Sequence, residues 1–162
     1  PELRETQLLL AGGGPLETEL RSLAEKLGHA SGIHFTGRHD ANGIARLMRA
    51  ADVLALPSDN EGVPNVILEA FASGLPVVAA KATGSQSLVE DKVSGRLITP
   101  GAINQFTDAL QAYCVDEDLR TKHGAAGEQR SLDYSWDAIN QTMADTYLRL
   151  IRQHAASAVA SR

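Results

Sequence analysis

Along the 162-residue chain, short apolar runs of strand length alternate with stretches of helical periodicity. Gln7–Ala11 is the first such run. Leu16, Leu20, Leu23, Ala24 and Leu27 then share one helix face, opened by Gly14 and Pro15. Ile33–Thr36 reads as a second strand. Asp40 is placed to cap a helix whose inner face is Ile44, Leu47, Met48 and Ala51, and Asp52–Leu56 follows as a third strand. Pro57-Ser58-Asp59-Asn60 is turn chemistry that ends it. From Pro64, which suits a first helical turn, residues 66–72 are apolar on nearly every face, as expected of a helix packed inside a layered fold. Pro76–Ala80 and Arg96–Ile98 supply two more strands, separated by a short helix around Gln86–Glu90 and a turn at Ser94-Gly95. The rest reads as helical. Ile103, Phe106, Leu110 and Tyr113 form one stripe, and Ser135 caps a further helix with Trp136, Ile139, Met143, Tyr147, Leu150 and Ile151 on its apolar side. From Ala155 no stripe continues, which predicts a frayed tail over 155–162 after one domain spanning 1–154. Strands alternating with helices predict an α/β fold, a parallel Rossmann-like sheet with helices on both faces.

Composition adds boundaries without naming a chemistry. A chain of this length is expected to bury a sizeable core as one domain. The formal net charge of −5 offers no global attraction to nucleic acid or anionic lipid, so no nucleic-acid partner is expected. Cys114 is the single cysteine, which excludes an intramolecular disulfide and a cysteine metal cage and reads as a partly buried thiol. No apolar run approaches the roughly 20 residues that cross a bilayer, and a cytoplasmic location is the expectation.

The chemistry concentrates in Ser58–Val78, SDNEGVPNVILEAFASGLPVV. Glu61 falls in the loop at a strand's carboxyl end. Glu69 is the only charge within the following apolar helix, where a desolvated carboxylate must find donors or shift its pKa. The residues alone leave two readings open: a glutamate satisfied by Lys81 or backbone amides, or a ligand-binding carboxylate. The Gly12–Gly14 turn, after a strand and before a helix, is likewise either a tight packing turn or a backbone cradle for phosphate. A dinucleotide fingerprint is disfavoured, because position 17 is glutamate and the second strand closes on Phe35-Thr36-Gly37 with no acidic residue. The five histidines include no HExxH pair and no cluster with carboxylates, so no metal site is expected. Ser58, Ser73 and Ser87 lack a Gly-x-Ser-x-Gly elbow.

The same segment resembles the signature of the retaining GT-B glycosyltransferases of family 4, the group 1 glycosyl transferases. Their pattern runs Pro-Ser-x-x-Glu-Gly, aliphatic residues, Leu-Glu-Ala, a small residue, Gly and x-Pro-Val-Val. Further ordered matches are Leu8–Pro15, Ile33–Arg38, Val89–Ile98 and Tyr134-Ser135-Trp136-Asp137. The resemblance implies the carboxyl-terminal half of a GT-B fold, lacking its first β-α unit, that binds a nucleotide-sugar donor at the carboxyl ends of its strands. It assigns the catalytic sugar contact to Glu61 and the ribose diol to Glu69. Backbone around Gly62, Val63, Pro64, Asn65 and Val66 would face the donor sugar and diphosphate, with Gly12, Gly14 and Arg38 also lining the donor site. It implies no cofactor and no metal.

Two departures qualify it. Ser87 stands where many relatives carry glutamate, and the family's diphosphate-binding Arg and Lys, with the whole amino-terminal acceptor domain, fall on sequence preceding Leu8. The implied partners are therefore the donor and that missing half, which could also bring the enzyme to the cytoplasmic face of a membrane. Alone, the fragment is expected to be inactive and could self-associate through the exposed face of its last helix. The alternatives are a nucleotide-sugar epimerase of GT-B architecture and a noncatalytic nucleotide-sugar-binding domain.

Overall fold

The computed structural model describes residues 6–60 and 62–160, with backbone alone for 155–160. Five strands and seven α-helices follow in the order β1 (Leu8–Ala11), α1 (Glu17–Lys26), β2 (Ile33–Gly37), α2 (Ala41–Ala50), β3 (Leu54–Leu56), α3 (Asn65–Ala72), β4 (Val77–Ala80), α4 (Thr83–Leu88), β5 (Gly95–Ile98), α5 (Ile103–Val115), α6 (Glu117–Ser131) and α7 (Trp136–Ala160). The expected β-α-β alternation is present, and every strand pair is parallel.

Pairing divides the strands into two sheets, β1-β2 and β3-β4-β5, where the apolar pattern predicts one.

The core lies on β4, all four of whose residues are buried. Successive side chains of a strand point to opposite faces. Val77 and Ala79 accordingly join Met48 of α2, Ile67, Ala70 and Phe71 of α3, and Leu88 of α4. Val78 faces the other way, against Ala109 and Tyr113 of α5 and Ile98 of β5. Helices therefore cover both faces of this sheet. By contrast, Leu8 and Leu9 of β1 are exposed, as are Leu16, Leu20, Leu23 and Leu27 along α1.

Local signals explain most boundaries. Asp40 caps α2 by accepting from the Gly43 amide at 2.7 Å, and Ser135 accepts from Ala138 at the start of α7. Pro64 stands one residue before α3, as its N-cap residue, not within its first turn. The α7 backbone stays helical through Ala160, where a frayed tail was expected from Ala155. The alanine-rich composition of this end supports helix without any apolar stripe. Trp136, Met143, Tyr147, Leu150 and Ile151 on its expected apolar side are exposed.

The helix that the apolar pattern does not single out is α6. Its buried positions are His123, Gly124 and Gly127. A Cβ on Gly127 would lie 2.5 Å from Phe71 Cδ1, so α6 and α3 pack through an absence of side chain.

Candidate functional site

In a parallel sheet the loops leaving the carboxyl ends of the strands form one rim, and ligands of open α/β sheets bind there. On the first sheet, β1 runs into the Gly12–Gly14 turn and β2 into Arg38. The two strand ends are tied by the Gly12 amide, which donates to the Gly37 carbonyl at 2.7 Å. Gly12 has φ +129°, a conformation that disfavours any Cβ. A Cβ on Gly13 would stand 3.9 Å from Arg38 Cγ, so the arginine flanks the glycine turn. Gly12, Gly14 and Arg38 are all exposed.

On the second sheet, β3 leads through Pro57–Asn60 to the loop before α3. Glu61 lies outside the described residues. Its neighbours Asn60 and Gly62 are exposed, as are Val63 and Asn65, while Pro64 is buried and Val66 half-buried. The helix begins without a side-chain cap. Its first turn therefore presents backbone N–H groups and the positive end of the helix dipole to the rim.

Glu69 departs from expectation. The apolar run predicts a carboxylate buried within the helix, whereas the structure leaves Glu69 exposed. The reason is geometric: Asn65, Glu69 and Ala72 fall on one exposed stripe, and Ile67, Ala70 and Phe71 form the buried face. No ion pair joins Glu69 to Lys81 among the described residues. Desolvation is thus not a cost the helix carries, and the carboxylate is open to solvent and to a ligand.

A hollow of about 280 Å³ lies on the same rim, between the carboxyl ends of β3, β4 and β5 and the start of α5, and its lining includes Pro57, Asp59, Ile98, Thr99 and Phe106. None of the sequence-predicted site residues that are described lines it. Asp59 and Thr99 were not singled out by sequence, and their only signal is that each follows a strand within a few residues. A larger hollow, about 500 Å³, runs along α1 from Pro15 past Thr18 and Ser22 to Lys26.

The groups with displaced protonation equilibria lie elsewhere, between α5 and α6. Tyr113 Oη and His123 Nδ1 are 2.6 Å apart in the interior. Burial pushes the Tyr113 pKa up to about 12, and burial lowers that of His123. Ser87, the residue read from the sequence as standing where many relatives carry glutamate, donates its hydroxyl to the Gly84 carbonyl at 2.7 Å. Among the described residues no group of three or more His, Cys, Asp or Glu side chains could hold a metal ion, and no helix is long and apolar enough to cross a membrane.

The family model for glycosyl transferases group 1 matches residues 1–116. A D-inositol 3-phosphate glycosyltransferase of Corynebacterium kroppenstedtii is 34% identical over 155 residues, covering 93% of this chain and 34% of that protein. A GDP-mannose-dependent alpha-(1-6)-phosphatidylinositol monomannoside mannosyltransferase of Mycobacterium tuberculosis is 32% identical over 146 residues, covering 85% of this chain and 38% of that protein. Among solved structures, Anabaena Alr3699/HepE in complex with UDP-glucose superposes with a TM-score of 0.80 at 30% identity, covering 90% of this chain and 42% of the other. Sucrose-phosphate synthase from Thermosynechococcus elongatus gives 0.79 at 28% identity, covering 91% and 39%. These neighbours are GT-B glycosyltransferases. The chain spans about a third of the length of the curated relatives it matches. The parallel strands, the rim of loops and the match over residues 1–116 agree: the chain belongs to the group 1 glycosyl transferases.

Proposed function

We propose that this chain is the donor-binding half of a retaining glycosyltransferase, moving a sugar from a nucleotide-sugar to an acceptor held by the other half of the enzyme. The observation that carries the reading is Glu69, a carboxylate exposed on the stripe it shares with Asn65, on a helix that begins uncapped at the sheet's carboxyl rim. A vicinal diol can donate two charge-assisted hydrogen bonds to such a group, which suits the ribose of a nucleotide. In this reading Glu61 contacts the transferred sugar, and the amides around Gly62–Val66 face the sugar and diphosphate. Gly12, Gly14 and Arg38 border the nucleotide from the first sheet. Alr3699/HepE, whose structure holds UDP-glucose, supports a sugar nucleotide as the ligand class.

Catalysis is then positional and electrostatic. The leaving nucleoside diphosphate is stabilised by N–H dipoles while the acceptor attacks from the same face, giving retention, and no divalent metal or other cofactor takes part. The enzyme works in the cytoplasm or at the cytoplasmic face of a membrane. The test is binding by calorimetry of UDP-, GDP- and ADP-sugars to the full-length protein. One of the three is expected to bind, and failure of all three overturns the reading.

A further inference from the structure

Gly84 occupies the first turn of α4, where β4 hands the chain to its next helix. Its φ lies outside the left-handed region, so backbone freedom does not explain a glycine there. Contact does. A Cβ at position 84 would overlap the Gly62 carbonyl oxygen and stand 2.6 Å from the Gly62 carbonyl carbon and 2.8 Å from Pro64 Cδ. Two of these atoms are backbone and the third belongs to a proline ring, so none can swing aside by a rotamer change. Gly84 is itself buried, while Gly62 above it is exposed to the rim.

The β3–α3 loop therefore rests on the first turn of α4, and the height at which it rests is set by the missing side chain of residue 84. One peptide bond joins Gly62 to Glu61, and Pro64 precedes the uncapped first turn of α3. We infer that Gly84 is a positioning residue for the sugar end of the donor site. It touches no ligand, and it fixes where the amides of residues 62–66 stand. This inference rests on the proposed donor site and extends it to a residue one strand away. A small displacement suffices, because hydrogen bonds weaken steeply once distance and angle leave their narrow range.

The structure supplies a matched control. A Cβ on Gly124 of α6 would overlap the Gly74 carbonyl oxygen in the same way, 3.1 Å from its carbon, at the turn that precedes β4. That turn is at the opposite end of the strand from the rim. Gly84→Ala and Gly124→Ala thus impose similar backbone collisions on the same core, only one of them beneath the proposed site.

The experiment measures Tm and the dissociation constants of UDP-glucose, UDP, GDP-mannose and GDP for the full-length wild type and both variants, at a temperature where each is folded by circular dichroism. Gly84→Ala is expected to weaken the sugar nucleotide at least tenfold more than the bare diphosphate, while Gly124→Ala lowers Tm and leaves the ratio of the two constants at its wild-type value. A purely structural glycine would not move that ratio. An unchanged ratio in Gly84→Ala, or an equal change in both variants, overturns the inference, as does a Gly84→Ala protein that cannot fold under conditions where Gly124→Ala does. If wild type binds neither of these sugar nucleotides, nor ADP-glucose measured beside them, the donor-site reading fails first, an outcome distinct from a wild type that binds and a Gly84→Ala variant that matches it.

Discussion

Replacing Glu69 by alanine separates a ligand-binding carboxylate from a structural one, because the proposed ribose contact predicts a loss of affinity with stability nearly unchanged. Glu69 is exposed. Its backbone carbonyl accepts from Ser73 Oγ at 2.9 Å, a bond that alanine would retain. Surface changes of this kind ordinarily alter stability by no more than about 0.5 kcal/mol, and alanine is at least as good a helix former as glutamate. Affinity should respond differently. Each hydrogen bond to a charged group contributes about 1.5–3 kcal/mol. Loss of even one ribose contact at about 1.36 kcal/mol per decade would weaken binding by roughly 10- to 150-fold. Calorimetric titration of the full-length protein with the sugar nucleotide it binds, beside a thermal melt, reads both quantities. A 2′,3′-dideoxyribose nucleotide should bind wild type and Glu69→Ala with nearly the same affinity. Equal affinity of both proteins for the ribonucleotide would refute the ribose assignment, and a stability loss beyond about 1 kcal/mol would mark Glu69 as part of the packing.

Glu61→Gln in the full-length enzyme should cut turnover about a hundredfold, in line with the loss of one preorganised polar group, with little change in affinity for the bare nucleoside diphosphate. Lost nucleotide affinity with full turnover at saturating donor would exchange the roles of the two glutamates. Tyr113→Phe should destabilise the fold by about 1–3 kcal/mol, because it leaves the buried His123 Nδ1 without its hydrogen-bond partner. The same pair sets a pH window. His123, held below its ordinary 6.5, contributes stability that is complete above that value and declines as pH falls through it. Tyr113, raised to about 12, contributes stability that is complete below 10 and declines between 10 and 12. Chemical denaturation from pH 5 to 11 should therefore show a plateau near neutrality, and a profile still rising below pH 6 would contradict it. The 162-residue chain alone should transfer no sugar, and EDTA should leave the activity of the full-length enzyme intact; transfer by this chain alone, or loss of activity on chelation, would each count against the proposed mechanism.

The elements legible in the sequence are those with a strong period and a cap: the five apolar strand runs, the Asp40-capped α2 and the Ser135-capped α7. What the apolar period misjudges is burial. Residues 66–72 carry one charge among apolar neighbours and suggest a helix enclosed on all sides, yet Ala72 and Glu69 lie on an open stripe, and Asn65 just before them extends it. Alanine is permissive on either side of a surface, so composition could not place the boundary. α6 escapes for the converse reason. Its contacts with Phe71 and with the turn at Gly74 are made through Gly127 and Gly124, and glycine carries no hydrophobic signal. The one readable sign of that helix is Asp116, which accepts from the Leu119 amide at 2.8 Å ahead of the acidic first turn Glu117-Asp118.

The two halves of the proposed donor site stand on parts of very different firmness. Gly62–Val66 and Glu69 stand over β4, whose residues are wholly buried between the two core clusters. Gly12, Gly14 and Arg38 stand on β1, α1 and β2, where Ala24 is the one buried residue among those described and neither core cluster takes a member. Local opening is easiest where few apolar contacts hold an element. In the 162-residue chain by itself, the β1-α1-β2 unit should therefore exchange its amides faster than β3-β4-β5. A nucleotide that reached Arg38 from Glu69 would span both sheets, so part of its binding energy would go to fixing the looser unit against the firmer one. In the proposed reading Glu69 meets the ligand from the firmer unit and Arg38 from the looser one.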